Sequence, residues 1–450
     1  MKKDNNGNKA KTSPGKHYFL GLMIVLTIIY IVDEISSNMN SSMQPYVLID
    51  LFKVPGGNVL SPEYAKAVST ATLLSIPGYC FMFLNPFYKA LADKWGRKLF
   101  LIVNTTVMGL GLLVCFLAPN YYIYVIGVLM VTFVMTNDMQ VMYIMETAPE
   151  HHRAKLCSIT KAIALAGVSL IGVCRKLFYN PEVFSSWRYV FIIPAVLGIA
   201  VGLGSIPFVR ETPVFLYRKN NGSVSSENDY KKSENGGVVP AFRFIFRNRQ
   251  MRSICFAGFI FCLATGITSY YTTITAAGVS GGVLTNADID LFMIVYPFVN
   301  AIVTFFSGFF SDKLGRKKAS ILLSGIAALG LFIFIFGARL GWGGLAIALG
   351  YGIFIGGLWS VSDTMILVMA GESTPTNLRA SVYGANGLIS GIGMLLGIIV
   401  MVLGINLVGS GNVGLLSLLT TLPFILLAMI MLTRNVKETN GQDLNNIGEN

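Results

Sequence analysis

The sequence of 450 residues has little charge, few histidines and few cysteines. Only 12% of its residues are charged, about half the share expected of a soluble protein of this length. The three histidines and six cysteines form no CxxC pair and show no metal-ligand spacing. We also find no phosphate-binding loop and no catalytic triad. These absences argue against an enzyme, and we expect neither a metal nor a cofactor.

Apolar residues, by contrast, make up 54% of the chain and occur in runs close to twenty residues long. A run of this length spans a lipid bilayer as a helix. We predict an all-α membrane protein with twelve transmembrane helices, which we call spans 1 to 12. The predicted spans cover residues 17–38, 66–88, 99–118, 121–145, 154–176, 187–208, 253–277, 289–310, 319–338, 342–369, 380–405 and 412–433.

The lysines and arginines are unevenly distributed between the loops. If the N-terminus is cytoplasmic, all but six of the 34 basic residues fall in cytoplasmic segments. This bias follows the positive-inside rule and places both termini in the cytoplasm. It also explains the net charge of +12 without a nucleic acid partner. The six exceptions are Lys53, Lys66, Arg175, Lys176, Arg188 and Arg339.

Two charged motifs each occur twice. DKWGRK at 93–98 recurs as DKLGRK at 312–317, and an E-x-x-P-x-x-x-R-A pattern begins at both Glu146 and Glu372. The first motif follows spans 2 and 8, and the second follows spans 4 and 10. We therefore predict a tandem repeat of six spans, an architecture typical of transporters. The predicted parts are a tail at 1–16, a first half at 17–208, a linker at 209–252, a second half at 253–433 and a tail at 434–450.

These motifs resemble those of the major facilitator superfamily, and in particular its sugar-porter and metabolite:proton symporter branches. The D-K-x-G-R-K loops are similar to the superfamily's loop signature, and Tyr143–Arg153 resembles the sugar-porter pattern Y-x-x-E-x-x-P-x-x-x-R. RETPVFL at 210–216 resembles the element that follows span 6. The span-4 arginine of sugar porters is missing, as is the span-5 G-P element of many drug:proton antiporters. The resemblance implies the major facilitator fold and transport by alternating access.

The acidic and basic residues of the two motifs predict a cytoplasmic gate. Carboxylate and guanidinium groups form directional pairs, which can join helix ends across the two halves while the outer side is open. An exposed pair contributes only about 0–1 kcal/mol, so it can break in every transport cycle. The alternative is a pair of basic loops that only set the topology. The predicted gate residues are Asp93, Arg97, Glu146, Arg153, Asp312, Arg316, Glu372 and Arg379.

Four carboxylates fall within predicted spans: Asp33 and Glu34 in span 1, Asp138 in span 4 and Asp363 in span 10. A charged carboxylate in the bilayer interior costs roughly 2.5–3.5 kcal/mol, so each one requires a reason. We predict that these four are the candidates for carrying a coupled proton. The alternative is a structural carboxylate that is satisfied by hydrogen bonds at a helix–helix contact.

Further polar and aromatic residues at mid-span depth predict a substrate site, with helix packing as the alternative interpretation. The candidate substrate-binding residues are Asn137, Gln140, Tyr270, Tyr271, Asn300, Trp359 and Ser360. No basic residue lies clearly in the middle of a span, which favours neutral or cationic substrates over anions. FRFIFRNRQMR at 242–252 alternates phenylalanine and arginine and predicts an interfacial amphipathic segment.

Three functions are compatible with this sequence. The first is proton-coupled symport of a small neutral or weakly charged metabolite. The second is proton-driven efflux of amphipathic or cationic compounds, and the third is a membrane sensor that transports nothing. We expect a monomer in the plasma membrane of a bacterium, with a small-molecule substrate, protons and the lipid bilayer as its partners.

Overall fold

The computed structural model of the protein describes residues 16–81, 84, 88, 91, 95–135, 139–147, 153–212, 216, 238–374 and 378–439. Three candidates from the sequence lie outside these residues: Asp93, Asn137 and Asp138. Four more are described by their backbone only, namely Glu146, Arg153, Asp363 and Arg379. Most of the described residues are helical.

The helices follow the predicted spans in order. In the first six spans they cover Lys16–Leu51, Pro62–Cys80, Arg97–Leu117, Tyr121–Met135, Met139–Thr147, Arg153–Gly167, Ser169–Phe178, Trp187–Val190 and Ile192–Gly204. From the end of the linker onwards they cover Val238–Arg247, Arg249–Ile267, Tyr271–Ser280, Asn286–Leu314, Arg316–Leu340, Gly344–Trp359, Ile366–Glu372, Arg379–Val408 and Val413–Asn435. A 3₁₀ turn at Thr268–Tyr270 interrupts span 7, and a π-helix at Ser360–Met365 interrupts span 10.

The described part of the chain contains nine helical stretches that are long and apolar enough to cross a membrane. Tyr121–Met135 in span 4 is a shorter apolar helix. This arrangement confirms the predicted all-α, multi-pass membrane fold. Buried apolar residues of both halves form one large core, and a smaller core joins spans 1, 3 and 4 of the first half.

Span 1 continues to Leu51, well beyond its predicted end at residue 38. The prediction stopped where a polar stretch of serines and asparagines begins. The polar side chains of this stretch are satisfied inside the helix; for example, the Ser37 hydroxyl donates to the Asp33 carbonyl over 2.7 Å. Several of these polar side chains line a cavity inside the bundle. A polar run at this position therefore marks a site rather than the end of the helix.

Span 7 begins at Arg249, earlier than predicted, and a separate helix precedes it at Val238–Arg247. We call this second element the surface helix. Asn248 divides the two, and its side chain caps span 7 by accepting from the backbone nitrogens of Gln250 and Met251. The C-terminal part of the predicted 209–252 linker is thus helical.

Glycines bring span 7 close to span 11. A Cβ atom on Gly397 would lie 2.9 Å from the backbone nitrogen of Ile267, and one on Gly393 would lie 3.1 Å from the Phe259 ring. Any larger residue would have to push the helices apart. The small-xxx-small spacing of these glycines therefore serves close helix packing.

The two ends of the bundle carry different charged residues. The motif end carries Arg97 and Arg316, which belong to the repeated loop motif. The Arg175 end carries Arg175 and Asp50. Span 1 runs from the motif end, where its helix begins at Lys16, to the Arg175 end.

Candidate functional site

A cavity of about 510 Å³ lies between the two halves of the chain. Most of its lining comes from spans 1, 2, 4 and 5 on one side and spans 7, 8, 10 and 11 on the other. A cavity of this size suits a small ligand. Its hydroxyl and amide groups include those of Ser37, Asn38, Asn40, Ser41, Thr268 and Ser269.

The structure brings most of the predicted substrate-binding residues to this cavity. Those that line it are Tyr271, Asn300, Trp359 and Ser360. Tyr270 is buried beside it instead, where its hydroxyl bonds with that of Thr72 at 2.8 Å and joins span 7 to span 2. Gln140 lies in a small adjacent pocket, and Asn137 is outside the described residues.

Asp33 lies where the main cavity meets this adjacent pocket. Its side chain is 7% exposed, and the Gln140 side-chain amide donates to its carboxylate over 2.6 Å. Gln140 is itself buried, so a polar contact links spans 1 and 4 inside the apolar bundle. Burying a carboxylate costs free energy because the group loses contact with water.

Glu34 and Lys161 also line the main cavity. The Asn38 side-chain amide donates to the Glu34 carbonyl over 2.8 Å and approaches its carboxylate at 3.4 Å. Lys161 lies in the helix Arg153–Gly167 of span 5. No lysine or arginine lies clearly in the middle of a predicted span, yet the cavity extends far enough to include this basic residue.

A group of tyrosines forms one side of the cavity. The rings of Tyr271 and Tyr351 stack with their centroids 4.4 Å apart, and the Tyr271 hydroxyl lies 3.4 Å from that of Tyr296. The Ser42 hydroxyl of span 1 lies 3.1 Å from the Tyr271 hydroxyl, which connects the two halves. Tyr296 and Tyr351 are not among the candidates from the sequence, although a buried tyrosine in an apolar span usually indicates a polar partner.

The π-helix of span 10 begins directly after Trp359 and includes Ser360. Both of these residues line the cavity. The Ser360 hydroxyl donates to the Gly356 carbonyl over 2.6 Å, which satisfies its hydrogen bond within the helix. Short π-helical turns occur frequently at functional sites, and this one lies beside the cavity.

At the Arg175 end, Arg175 of span 5 is only 1% exposed and contacts both halves. It forms an ion pair with Asp290 of span 8 and donates to the Asn286 side chain over 3.0 Å. It also donates to the Tyr46 hydroxyl over 3.1 Å, and its guanidinium group lies 4.8 Å from the ring centres of Tyr46 and Tyr179. Burial raises the pKa of the Tyr179 hydroxyl above its ordinary value, so the ring remains neutral. None of these partners is among the candidates from the sequence.

Further hydrogen bonds join the two halves between spans 1 and 7, 2 and 7, and 2 and 11. The Tyr64 and Thr273 hydroxyls lie 3.0 Å apart, and the Thr272 hydroxyl donates to the Ser41 carbonyl over 2.8 Å. The Asn406 amide donates to the Ser69 hydroxyl over 2.6 Å. Together with Arg175, these contacts close the cavity toward the Arg175 end.

At the motif end, the described partners of Arg316 lie within its own half. Its guanidinium group bonds to Asp312 at 2.7 Å and lies 3.5 Å from Glu372. The sequence predicted these three residues as partners. Glu438, after span 12, accepts from the backbone nitrogens of Arg316 at 2.8 Å and Lys317 at 3.3 Å.

The first half repeats this last contact. Glu211, after span 6, accepts from the backbone nitrogens of Arg97 at 3.0 Å and Lys98 at 3.2 Å. A carboxylate at the start of a helix interacts favourably with its exposed N–H groups. Neither glutamate was among the predicted gate residues. Their signal is a third repeat, since RET at 210–212 recurs as KET at 437–439.

The comparison with protein families gives a match to the Major Facilitator Superfamily over residues 22–398 and 283–443. The glucose transporter GlcP of Staphylococcus epidermidis is 23% identical over 336 residues, which cover 68% of this chain and 72% of that protein. The putative metabolite transport protein YwtG of Bacillus subtilis is 24% identical over 53% of this chain and 55% of that protein. Human facilitated glucose transporter member 12 is 28% identical over 139 residues, which cover 30% of this chain and only 22% of that protein.

Solved structures share the fold at low sequence identity. A D-xylose-proton symporter matches with a TM-score of 0.64 and 17% identity over 95% of this chain and all of its own. An inward-facing bacterial homologue of the lysosomal transporter Spinster matches with a TM-score of 0.65 and 16% identity over 93% of this chain and 97% of its own. Together with the family match over most of the sequence, the repeated motifs and the helical bundle establish that this chain belongs to the Major Facilitator Superfamily.

Proposed function

We propose that the chain is a secondary active transporter that moves a small neutral or weakly charged metabolite across the plasma membrane together with protons. The cavity between the two halves is the observation that carries this proposal. Hydroxyl and amide groups from both halves reach it, and the first half adds the carboxyl groups of Asp33 and Glu34. A site shared by two halves is exposed to either side of the membrane when one half rocks against the other.

The polar groups that line the cavity favour a substrate that carries hydroxyl groups. Side chains such as Ser41, Asn38 and Ser269 both donate and accept hydrogen bonds. Trp359 and Tyr271 add aromatic surface on which the apolar face of such a solute can pack. Because the relatives include glucose transporters and the similar structures include a D-xylose-proton symporter, small sugars are the first substrates to test.

Asp33 is the carrier that we propose for the coupled proton. Its carboxyl group is buried, and Gln140, a neutral amide, donates to it. An acidic side chain buried within a membrane-spanning helix is costly to retain, and such residues are typical of proton pathways. Glu34, the next residue, lines the same cavity and provides a second acidic group.

Transport assays in proteoliposomes test this proposal. The protein would be reconstituted with labelled glucose or xylose and an imposed pH gradient, and gradient-driven accumulation compared with counterflow exchange. Asp33→Asn should abolish accumulation but leave exchange within about threefold, because exchange moves no net protons. Glu182→Gln, on an exposed loop, is the control and should retain both. Normal accumulation by Asp33→Asn would move the proposed role to Glu34, Asp138 or Asp363.

We place the motif end at the cytoplasm in this proposal, and its charged residues serve as the inner gate. The excess of lysine and arginine in these loops supports that orientation. The described pairs of Arg316 lie within one half, whereas contacts at the Arg175 end join both halves. This difference supports a conformation that is open toward the cytoplasm. Cross-half pairs of the predicted gate would form only when the bundle opens on the other side.

Proton-driven efflux of organic cations is the second candidate function. Asp33, Glu34 and the aromatic faces of Trp359 and Tyr271 meet at one cavity, and such a combination attracts cations. The positive charge of Lys161, which lines the same cavity, would repel a cationic substrate. Thermal-shift measurements with sugars and with a lipophilic cation such as tetraphenylphosphonium separate the two candidates. Stabilisation by the cation alone would favour efflux.

A further inference from the structure

The surface helix, Val238–Arg247, lies at the motif end and leads into span 7 through a single residue, Asn248. One face of the helix is fixed to the protein, because Ala241 and Ile245 are fully buried in the core. Phe244 packs against the same core. The helix is therefore held by the bundle, and its remaining faces point away from it.

The outer side of the surface helix has an apolar edge. Val239 is 69% exposed and Phe246 is 60% exposed. The Phe242 ring, half buried, stacks on Phe246 with a centroid distance of 6.3 Å and an angle of 18°. These residues lie side by side on the helix, since positions three and four apart share a face. They form a continuous apolar strip at the boundary of the protein.

Arg243 and Arg247 follow directly beside this strip on the helix surface, and both are exposed. They are four residues apart and therefore neighbours. No hydrogen-bond or ion-pair partner is described for either side chain among residues 238–374 or elsewhere in the described chain. In contrast, Arg249 donates to the Asn435 side chain over 3.1 Å, and Arg252 donates to the Phe246 carbonyl over 3.3 Å. The stretch 238–252 contains no acidic residue.

We propose that the surface helix is a binding site for anionic phospholipids of the surrounding bilayer. An exposed apolar strip beside a basic strip is the pattern of a helix that lies in the membrane interface. Val239 and Phe246 would enter the upper acyl region, with Phe242 supporting the Phe246 ring from the protein side, while Arg243 and Arg247 would pair with the phosphate and the net negative charge of the headgroup. Zwitterionic headgroups offer the phosphate without the net charge, so they bind more weakly.

Because the surface helix leads directly into span 7, lipid bound to the helix would also affect the position of span 7. Span 7 carries Tyr271 and Ser269 at the cavity and Thr273 at the Arg175 end. Lipid bound at the surface helix would hold the motif end of this span at the membrane interface. The lipid site is independent of the transported substrate, so it can be tested without knowing that substrate.

Native mass spectrometry of the full-length, delipidated protein tests the proposal. Phosphatidylglycerol and phosphatidylcholine would be titrated separately into detergent-solubilised protein, and apparent dissociation constants compared. We expect phosphatidylglycerol to bind more tightly, and the double variant R243Q/R247Q to lose that affinity by roughly thirtyfold. The affinity for phosphatidylcholine should change little. The lysine variant R243K/R247K should retain most of the preference, because the charge is kept.

A matched control removes the same charge elsewhere at the motif end. Lys318 and Lys437 are exposed and lie outside the surface helix, so K318Q/K437Q should bind phosphatidylglycerol as the parent does. Equal losses in both double variants would show a general attraction of the basic face and would overturn the proposal. So would equal binding of the two lipids by the parent protein. Size-exclusion profiles of all variants check that they remain folded.

Discussion

At the Arg175 end, a buried arginine of span 5 contacts Asp290 and Asn286 of the other half, whereas at the motif end Arg316 contacts Asp312 and Glu372 of its own half. The Arg175 side chain is almost fully buried, while Asp312 is 73% exposed. Removing one member of a buried pair costs about 3–5 kcal/mol, but an exposed pair contributes only about 0–1 kcal/mol. The closed Arg175 end therefore depends on few strong contacts, and the motif end uses weaker contacts to organise each half.

The largest expected effect comes from Arg175→Ala. It leaves Asp290 without its ion-pair partner in a mostly buried place and removes the contacts with Tyr46 and Asn286. The Arg175 end should open, so a cysteine at Ser269 in the cavity should react at least about tenfold faster with an impermeant maleimide from that side.

Two further variants control this experiment. Arg188→Ala breaks an ion pair with Asp50 within the first half, at 3.4 Å, and should leave the reactivity unchanged. The double variant R175M/D290L replaces the charged pair with apolar side chains and should restore most of the closure. Equal reactivity of Arg175→Ala and the parent would mean that this arginine does not hold the halves together.

Tyr64→Phe should give a smaller effect of the same kind. It removes the 3.0 Å bond between the Tyr64 and Thr273 hydroxyls, which joins span 2 to span 7. A hydrogen bond of this type contributes about 1 kcal/mol, so the reactivity at Ser269 should rise roughly fivefold. Tyr124→Phe is the matched control, because it removes a 2.8 Å bond to Asn40 within the first half. A rise of similar size in the control would contradict the role of cross-half contacts.

Glu438→Gln and Glu211→Gln examine the motif end. Each keeps an oxygen acceptor but removes the negative charge at the start of spans 9 and 3, so each should lower the free energy of unfolding by about 0.3–1 kcal/mol. Thermal unfolding in detergent measures this loss, which should be similar in both variants because the contacts repeat. Neither should alter the reactivity at Ser269. Glu182→Gln on an exposed loop is the control, and a large difference between the two halves would contradict the repeat.

Added salt should have the smallest effect. Salt screens the exposed pair of Arg316 and Asp312 much more than the buried pair of Arg175 and Asp290. The reactivity of a cysteine at Ser269 should therefore change by less than about twofold between low and high salt. A several-fold increase at high salt would indicate that exposed charges maintain the closed end.

Much of this fold could be predicted because a transmembrane helix is a local property. Hydrophobicity summed over some twenty residues located the spans, and the repeated motifs revealed two halves. The prediction was less accurate where polar residues continue a helix, as between residue 38 and Leu51 in span 1. Local hydrophobicity cannot distinguish a polar stretch that enters water from one that faces an internal cavity.

The candidate site could be predicted only in part. Asp33 and Glu34 were identified because charged residues are rare in spans, and Trp359 and Tyr271 because they lie at mid-span depth. Lys161 is not among the candidates from the sequence, because its position at the cavity depends on how deeply the cavity extends. Tyr270 has the same depth as its neighbour but points to Thr72, since adjacent residues on a helix face different directions.

The order of residues along the chain is enough to locate the spans, the tandem repeat, the bias of basic residues and the short list of carboxylates in the predicted spans. Each of these follows from the identity and order of residues along a short stretch of chain. Three contacts become visible only in the folded bundle: Gln140 donates to Asp33, Tyr271 stacks on Tyr351, and Arg175 pairs with Asp290, 115 residues away. Such contacts depend on how helices pack and rotate against each other, and no local sum over the sequence contains that information.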